Sequence, residues 1–310
     1  MKVRFEKRGI HFYDRVTGIH ILADQCFVPK RFYHQGPSVV SIALTNICNL
    51  NCDFCYAPKN EHSLEEDAVI DWCRELDSLG TLEVALGGGE PTLYPELADL
   101  CDKIWTDTNL GISITTNGHH LTPSLISQLV GTVSIIRISI DSVEPLYSKL
   151  RNRPLAPVLN AICHLTGRIP VGINTVINNL TLSTMDQMLQ FVKETGAIDW
   201  LLLPQVRNGE FVLAVNDWRK LERWVNDHWT EVNLSITSEA QKFVNCPFLF
   251  TSENQNDYAH ISADYYLRKC SYKAGGVLLR GRTIREGLQE LNDGFKVSPN
   301  TEFAAQPSFA

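Results

Sequence analysis

No stretch of this 310-residue chain approaches the roughly 18 uninterrupted apolar residues that a membrane-spanning helix needs. The N-terminus, Met1-Lys2-Val3-Arg4-Phe5-Glu6-Lys7-Arg8, is charged and no apolar run follows it, which argues against a secretory signal. There is no run of Lys or Arg either, and the net charge is -7, so an electrostatic footprint for nucleic acid is missing. The scattered basic residues Lys2, Arg4, Lys7 and Arg8 read as solvated faces. Internal repeats and low-complexity segments are absent. These absences leave a soluble, cytoplasmic protein as the expectation. In that compartment nine cysteines are read as metal ligands, chemistry or core packing rather than a disulfide framework.

Hydrophobic residues make up 44% of the sequence, enough for a sizeable core without staples. Residues 1–36 read as an N-terminal extension with two short strands, Gly9–Tyr13 and Gly18–Leu22, around Asp14-Arg15-Val16-Thr17. From residue 37 strands and helices alternate. The strands are expected at 39–44, 82–86, 111–116, 133–140, 171–177 and 200–203. Helices fall between them, at 63–80, 94–107, after Thr122-Pro123, at 154–167 and at 182–195. Such alternation implies parallel strands joined by right-handed crossovers. Six units are too few for a closed eight-unit barrel, so the expected fold is α/β, a partial (β/α)6 TIM-type barrel over residues 37–235. Strands buried on both faces are expected to read as near-continuous apolar runs, and these do. A further helix at 217–229 precedes a break in rhythm. Residues 236–310 read as a small C-terminal α+β appendage with Cys246, Cys270, a helix at 284–291 and a loose tail from Asn292.

The strongest chemical signal is Cys48-Asn49-Leu50-Asn51-Cys52-Asp53-Phe54-Cys55. Three thiols spaced C-x3-C-x2-C lie just after the first barrel strand, at the end where such barrels carry their active sites. Three thiolates can hold three irons of one cuboidal cluster and leave the fourth iron open. The alternatives are buried thiols, or a structural zinc with His62 as its fourth ligand. Gly87-Gly88-Gly89-Glu90-Pro91 follows the second strand, where it also reads as a plain turn into a helix. Asn117 stands in an Asn-Gly turn signal. Ser139 and Asp141 end the fourth strand on one side of it, and Asn174 lies on the fifth.

In this order, the Cys48–Cys55 triplet with Tyr56, the Gly88-Gly89-Glu90-Pro91 stretch, Thr116-Asn117-Gly118, Ser139-Ile140-Asp141 and Asn174 resemble the motifs of the radical S-adenosylmethionine (radical SAM) superfamily, over about residues 38–207. The resemblance implies an enzyme with a 4Fe–4S cluster on Cys48, Cys52 and Cys55, and S-adenosylmethionine (SAM) chelating the open iron. It implies reductive cleavage of SAM to a 5′-deoxyadenosyl radical that abstracts hydrogen from a substrate. Gly88 and Gly89 would let backbone approach the SAM amino group, and Glu90 would accept its hydrogen bonds. Asp141 would take a ribose hydroxyl, and Ser139 a carboxylate oxygen. Asn117, Asn174, Phe54 and Tyr56 would line the cofactor, with plain packing as the alternative for the two aromatics. Arg151 would pair with the SAM carboxylate or stand on the surface.

An electron donor such as flavodoxin or ferredoxin is implied as a partner. The segment Ile261–Ser271 resembles the SPASM or twitch-type appendage of some relatives, but no cysteine follows Cys270, so a cap without its own cluster is expected. Cys246 and Cys270 are then core thiols or hydrogen donors to a substrate radical. The appendage points to a peptide substrate, such as a ribosomally made precursor. A small-molecule metabolite is the second reading. A non-catalytic iron–sulfur or zinc-binding protein is the reading from another class.

Overall fold

In a computed structural model, residues 1–246, 257–273 and 275–293 are described. The tail expected from Asn292 lies outside them from residue 294 onward. The chain begins with three antiparallel strands, β1 (Lys2–Glu6), β2 (Gly9–Asp14) and β3 (Ile19–Ala23), one more than the sequence suggests. All six expected barrel strands then form. They are β4 (Val39–Thr45), followed by α1 (Glu66–Ser78); β5 (Glu83–Gly88), by α2 (Leu97–Asp107); and β6 (Gly111–Thr116), by α3 (Pro123–Leu129). Next come β7 (Ile135–Ser139), followed by α4 (Leu146–Arg151) and α5 (Ala156–Leu165); β8 (Val171–Ile177), by α6 (Met185–Thr195); and β9 (Asp199–Pro204). A small hairpin, β10 (Val206–Arg207) and β11 (Glu210–Phe211), leads into α7 (Val215–His228).

The rhythm does not stop at α7. β12 (Leu234–Ile236) pairs parallel with β9, as a seventh strand in the same winding. On the other side, β13 (Tyr258–Ile261) pairs parallel with β4, and β14 (Tyr266–Arg268) and β15 (Val277–Leu278) follow antiparallel. The result is one ten-stranded sheet in the order β12-β9-β8-β7-β6-β5-β4-β13-β14-β15. Among the described residues no pairing joins its two ends, so this is an open partial barrel. α8 (Ile284–Asp293) packs against β14 and β15. No helix among the described residues is long and apolar enough to cross a membrane.

The helix-facing side of the sheet carries the core. Val40, Ile42, Leu44, Val84, Leu86, Ile112, Ile114, Ile136, Ile138, Ile173, Trp200 and Leu202 are fully buried there, against Val69, Trp72, Leu76, Leu100, Ile104 and Val158 of the helices. At about 25 cal/mol per Å² this apolar burial is the main driving force for folding. The other side departs from the expectation of strands apolar on both faces. Ser41, Glu83, Ser113, Arg137 and Asp199 line it and bond across the strands. Arg137 holds Asp199 through two nitrogens at 2.9 and 2.7 Å, Ser113 bonds Glu83, and Ser41 reaches His260 Nδ1 at 2.7 Å. Buried polar groups stay only where they are paired, so this lining is a polar bore rather than a second core.

The N-terminal sheet closes the floor of that bore. Tyr13 is fully buried, and a Cβ on Gly111 at the start of β6 would meet its hydroxyl at 1.7 Å. Arg15 donates to the carbonyls of Trp105 and Thr108, and its guanidinium lies 3.8 Å from the Trp105 ring centroid. His20 approaches Glu83 at 3.7 Å and meets His11 at 3.0 Å. The basic residues expected on solvated faces are partly enlisted here. Arg4 is buried, donating to the carbonyls of Gly80 (2.9 Å) and Gly36 (2.7 Å) beside Glu6, and Lys2 pairs with Asp77 at 2.5 Å. These contacts fall at the N-terminal ends of the barrel strands, opposite the cysteine loop.

Candidate active site

The cysteine loop leaves β4 at Thr45 and is tied down by backbone at both ends. Asn46 N donates to His62 O at 2.8 Å, and Leu64 N donates to Leu44 O at 2.8 Å. Asn46 Nδ2 reaches Asn60 Oδ1 at 2.9 Å. Cys48 is half-buried, Cys52 buried and Cys55 exposed, so the loop runs from the barrel rim into solvent. Cys48 Sγ accepts from Leu50 N at 3.4 Å and lies 3.9 Å from Asn117 Nδ2. Burial pushes the Cys48 and Cys52 thiols upward, while the Arg151 guanidinium works against this at Cys52. A bare loop therefore favours thiols, and thiolates appear once metal supplies positive charge.

The glycine-rich turn after β5 is built for a close approach, but to protein rather than open space. Gly88 has φ +128°, and a Cβ there would meet Thr45 O at 2.2 Å. A Cβ on Gly89 would meet Ile47 O at 2.3 Å and Asn46 O at 2.5 Å. Gly89 N donates to Thr45 O at 2.6 Å, and Glu90 N to Ile47 O at 2.8 Å. The turn is thus fastened under the stretch that leads into Cys48. Only Gly87 faces open space, with nothing within 4 Å of where a Cβ would stand. The close approach the structure shows at Gly88 and Gly89 is to the β4 loop.

Glu90 is fully buried. Its Oε1 accepts from Thr92 N (3.1 Å), Thr92 Oγ1 (2.6 Å) and Thr116 Oγ1 (2.6 Å), and its Oε2 from Asn117 N (2.8 Å). The carboxylate therefore ties the ends of β5 and β6 together. Asn117 continues the chain of bonds. Its Nδ2 donates to Asn49 Oδ1 at 2.7 Å, inside the cysteine loop. Thr92, Thr116 and Asn49 are parts of this bracket that sequence reading missed. Thr116 was visible beside Asn117, but nothing in sequence links Thr92 to Glu90 except their spacing of two.

Asp141 and Arg151 are brought together with each other. Asp141 is fully buried, and its Oδ2 accepts from Arg151 Nε at 2.7 Å and Nη2 at 2.6 Å. Its Oδ1 accepts from Val176 N at 2.9 Å. Burial alone would lower the Arg151 pKa, yet Asp141 and Cys52 outweigh it and raise the guanidinium. That guanidinium sits 5.3 Å from the Phe54 ring centroid. The pair braces the side of the loop around Cys52 and Phe54, so a surface Arg151 is ruled out. Ser139 and Asn174 are neighbours across β7 and β8, and Asn174 Oδ1 lies 3.5 Å from Arg137 Nη1.

Tyr56 leaves the loop toward the C-terminal strands. Tyr56 is 57% exposed, and its ring meets that of Tyr272 edge-on with centroids 5.6 Å apart. Cys270, just after β14, is buried near Tyr56, Tyr258 and Tyr272. Cys246 is placed elsewhere. It belongs to the hydrophobic core, with Sγ 3.4 Å from Leu234 O of β12.

Among the described residues, no group of three His, Cys, Asp or Glu side chains converges as a single ion would require. His62 meets the loop only through backbone and Asn60. A cuboidal cluster sets its three thiolates on three separate irons, and so asks for a wider spacing than tetrahedral zinc. The donor set of three loop thiols, the N–H···S contact at Cys48 and the open ground above Gly87 fit such a cluster with a small ligand beside it.

Comparisons with known proteins agree. Residues 42–192 match the Radical SAM superfamily. The chain is 26% identical to the GTP 3′,8-cyclase of Haemophilus ducreyi over 65% of this chain and 67% of that one. It is 30% identical to the sporulation killing factor maturation protein SkfB of Bacillus subtilis, over 52% of this chain but only 41% of the relative. The fold is similar to that of Streptococcus suis SuiB bound to the precursor peptide SuiA, with a TM-score of 0.72 at 14% identity, covering 94% of this chain and 86% of that one. Residues 42–192, just under half of the chain, thus match the Radical SAM superfamily, whose members are enzymes that use a 4Fe–4S cluster and SAM.

Proposed function

We propose that this protein is a radical SAM enzyme acting on a peptide, with Cys48, Cys52 and Cys55 holding its cluster. The cluster and SAM together supply one-electron cleavage of the sulfonium bond and abstraction of a substrate hydrogen. The chain's own residues hold the geometry for that chemistry. Glu90, Thr92, Thr116 and Asn117 lock the ends of β5 and β6 to Asn49 beside Cys48. Arg151, fixed by Asp141, sets a positive charge near Cys52 and favours its thiolate. Gly87, Ser139 and Asn174 offer backbone and polar side chains toward SAM. The observation that carries the reading is the hydrogen-bonded bracket between the thiol loop and the glycine–glutamate turn.

The peptide half of the reading rests on the similarity to SkfB, a maturation protein, and to SuiB, which is seen with a precursor peptide. The open barrel and the exposed Tyr56 at its mouth suit an extended chain. A small-molecule substrate is the second reading, favoured by the likeness to GTP 3′,8-cyclase. Cys270, among tyrosines beside the loop, is the better of the two thiols for returning a hydrogen atom to a substrate radical. A low-potential donor such as flavodoxin or ferredoxin would reduce the cluster, and the reducing cytoplasm is where such a cluster and nine cysteines are kept. The test is anaerobic reconstitution followed by iron analysis and detection of 5′-deoxyadenosine. The wild type binds iron and forms the nucleoside, and Cys52→Ala loses both. A colourless wild-type protein carrying zinc refutes the reading.

A further inference from the structure

A row of ionisable side chains crosses the N-terminal sheet, and the strand register builds it on a diagonal. Glu6 of β1 pairs with Gly9, and His11 stands two residues further along β2. His11 pairs with Leu22, and His20 stands two residues back along β3. Side chains two apart on a strand share a face, so diagonal neighbours can touch. His11 Nδ1 lies 3.5 Å from Glu6 Oε1, His11 Nε2 lies 3.0 Å from His20 Nδ1, and His20 Nε2 lies 3.7 Å from Glu83 Oε2. Ser113 bonds the other oxygen of Glu83. The middle contact is of hydrogen-bond length, and the outer two are a few tenths of an ångström beyond it.

The two ends of the row open on different spaces. Glu83 and Ser113 belong to the polar bore. Glu6 lines a cavity of about 650 Å³ between β1 and α8, with Arg4, Asp257 and the exposed Lys7 and Arg285 in its wall. A cavity that polar and that large holds water. Burial works to raise both carboxyl groups, but His11, Arg8 and Arg4 outweigh it at Glu6, and His20, Ser113 and Arg137 outweigh it at Glu83, so both are lowered. Asp257 lies 3.8 Å from Arg8, and the Tyr13 ring centroid lies 4.5 Å from that of His20. Two ionised carboxylates and one contact between imidazoles ask for three N–H protons. Two neutral imidazoles carry two. One end of the pair is therefore short of a proton, and the tautomer decides which end.

We propose that Glu6, His11, His20 and Glu83 form a proton relay between that cavity and the bore. Starting with protons on Nε2 of both rings, a proton on Glu6 passes to His11 Nδ1. The His11 Nε2 proton moves to His20 Nδ1, and the His20 Nε2 proton leaves to Glu83 and on to a basic atom in the bore. One proton crosses and no electron moves. Both rings end protonated at Nδ1, and the reverse passage or a turn of both rings restores the start. A metal ion between the rings is a poorer occupant, since among the described residues no group of three His, Cys, Asp or Glu side chains converges to hold one. The proposal rests on the reading above in one respect, that the bore is the chamber in which substrate reacts. In a chamber shielded from bulk water, a substrate that gains or loses a proton as its radical rearranges needs such a route.

The experiment is nitrogen NMR of the cluster-reconstituted, SAM-free protein carrying isotope-labelled histidine, with the two rings assigned by His11→Gln and His20→Gln. A relay populates both tautomers, so every nitrogen of the two rings should resonate between the positions of a protonated and a bare nitrogen. Glu6→Gln removes the charge beside His11 Nδ1 and should shift the tautomer ratio about tenfold toward a proton on His20 Nε2, and Glu83→Gln should shift it about tenfold the other way. Exchange of the shared proton with water, read by saturation transfer, should slow about tenfold in the double variant Glu6→Gln/Glu83→Gln, because a neutral amide hands on no proton. Rings fixed in one tautomer in the wild type overturn the proposal, and that readout needs no variant to fold. Shifts in the same direction in the two variants overturn it as well, as does exchange that the double variant leaves unchanged. Neither measurement uses SAM or substrate. Wild-type protein that shows both tautomers but forms no 5′-deoxyadenosine when SAM is added refutes the enzyme reading and keeps the relay. Fixed rings in a protein that forms the nucleoside do the reverse.

Discussion

Replacing Glu90 by Ala removes four hydrogen-bond acceptances at once from a fully buried position. The two threonine hydroxyls can rotate toward other acceptors, but the N–H groups of Thr92 and Asn117 cannot. Each buried donor left unsatisfied costs about 1–3 kcal/mol, so the two together cost about 2–6 kcal/mol. That is a large share of the roughly 5–15 kcal/mol that holds a typical domain together. Glu90→Gln is gentler. Its one carbonyl oxygen can keep the Thr92 and Thr116 bonds, while its NH2 opposes Asn117 N–H, losing one charge-assisted bond of about 1.5–3 kcal/mol. Anaerobic urea unfolding followed by tryptophan fluorescence should therefore rank wild type above Gln above Ala. Because Asn117 in turn holds Asn49 beside Cys48, SAM affinity should fall in the same order. Iron content should change little, since the thiols and the Glu90 N to Ile47 O bond remain. An alanine variant as stable as wild type, with unchanged SAM affinity, would refute the bracket.

Gly89→Ala drives a methyl group into Ile47 O and Asn46 O, and should lower iron per chain while the far-ultraviolet circular dichroism is kept. Full iron loading would show that the turn has room to move. Burial lowers the His260 imidazole to about 4, against about 6.5 in an unfolded chain. Between those values the unfolded state binds the extra proton, so stability is intact above about pH 6.5 and falls as pH drops toward 4, by about 3 kcal/mol at most. Denaturation midpoints at pH 7 and 4.5 should differ less in His260→Gln than in wild type, and equal differences would remove His260 as the cause. Iron counting on the reconstituted protein should give about four atoms per chain, because Cys246 and Cys270 have no third cysteine after them in the sequence to complete a second cluster. About eight would mean a second cluster.

The parts of the fold legible in sequence were those with local causes. β4 to β9 announce themselves as apolar runs broken by Gly, Asn and Pro, and α1 by Leu64, Trp72 and Leu76 on one side. The polar bore was hidden because single polar residues such as Ser113 and Arg137 are diluted in β-branched runs, and only their partners reveal that they face each other. β13 was read as appendage because its partner is β4, from the other end of the chain, and four residues carry no period. Arg4 looked like a solvated charge because no local pattern shows that the carbonyls of Gly36 and Gly80 wait for it.

The site shows the same division between residue identity and residue role. Cys48, Cys52 and Cys55 stand out by type and spacing, Glu90, Asn117, Asp141 and Arg151 through the resemblance to family motifs, and all lie at one rim of the barrel. Type and spacing say that a carboxylate is wanted after β5 and another after β7, but not toward what. Coordinates answer that. Glu90 faces Thr92, Thr116 and Asn117, and Asp141 faces Arg151 and Val176, so each neutralises or caps a strand end that carries the loop. Each carboxylate keeps one oxygen with a single hydrogen-bond partner among the described residues, Oε2 of Glu90 on Asn117 N and Oδ1 of Asp141 on Val176 N, and a carboxylate oxygen can accept a second bond. The same rim carries the open backbone at Gly87, the half-buried Ser139 and the exposed Tyr56. Substitutions at Glu90 and Asp141 should therefore lower stability and SAM affinity together, and those at Ser139 and Tyr56 should lower SAM affinity with the urea midpoint unchanged.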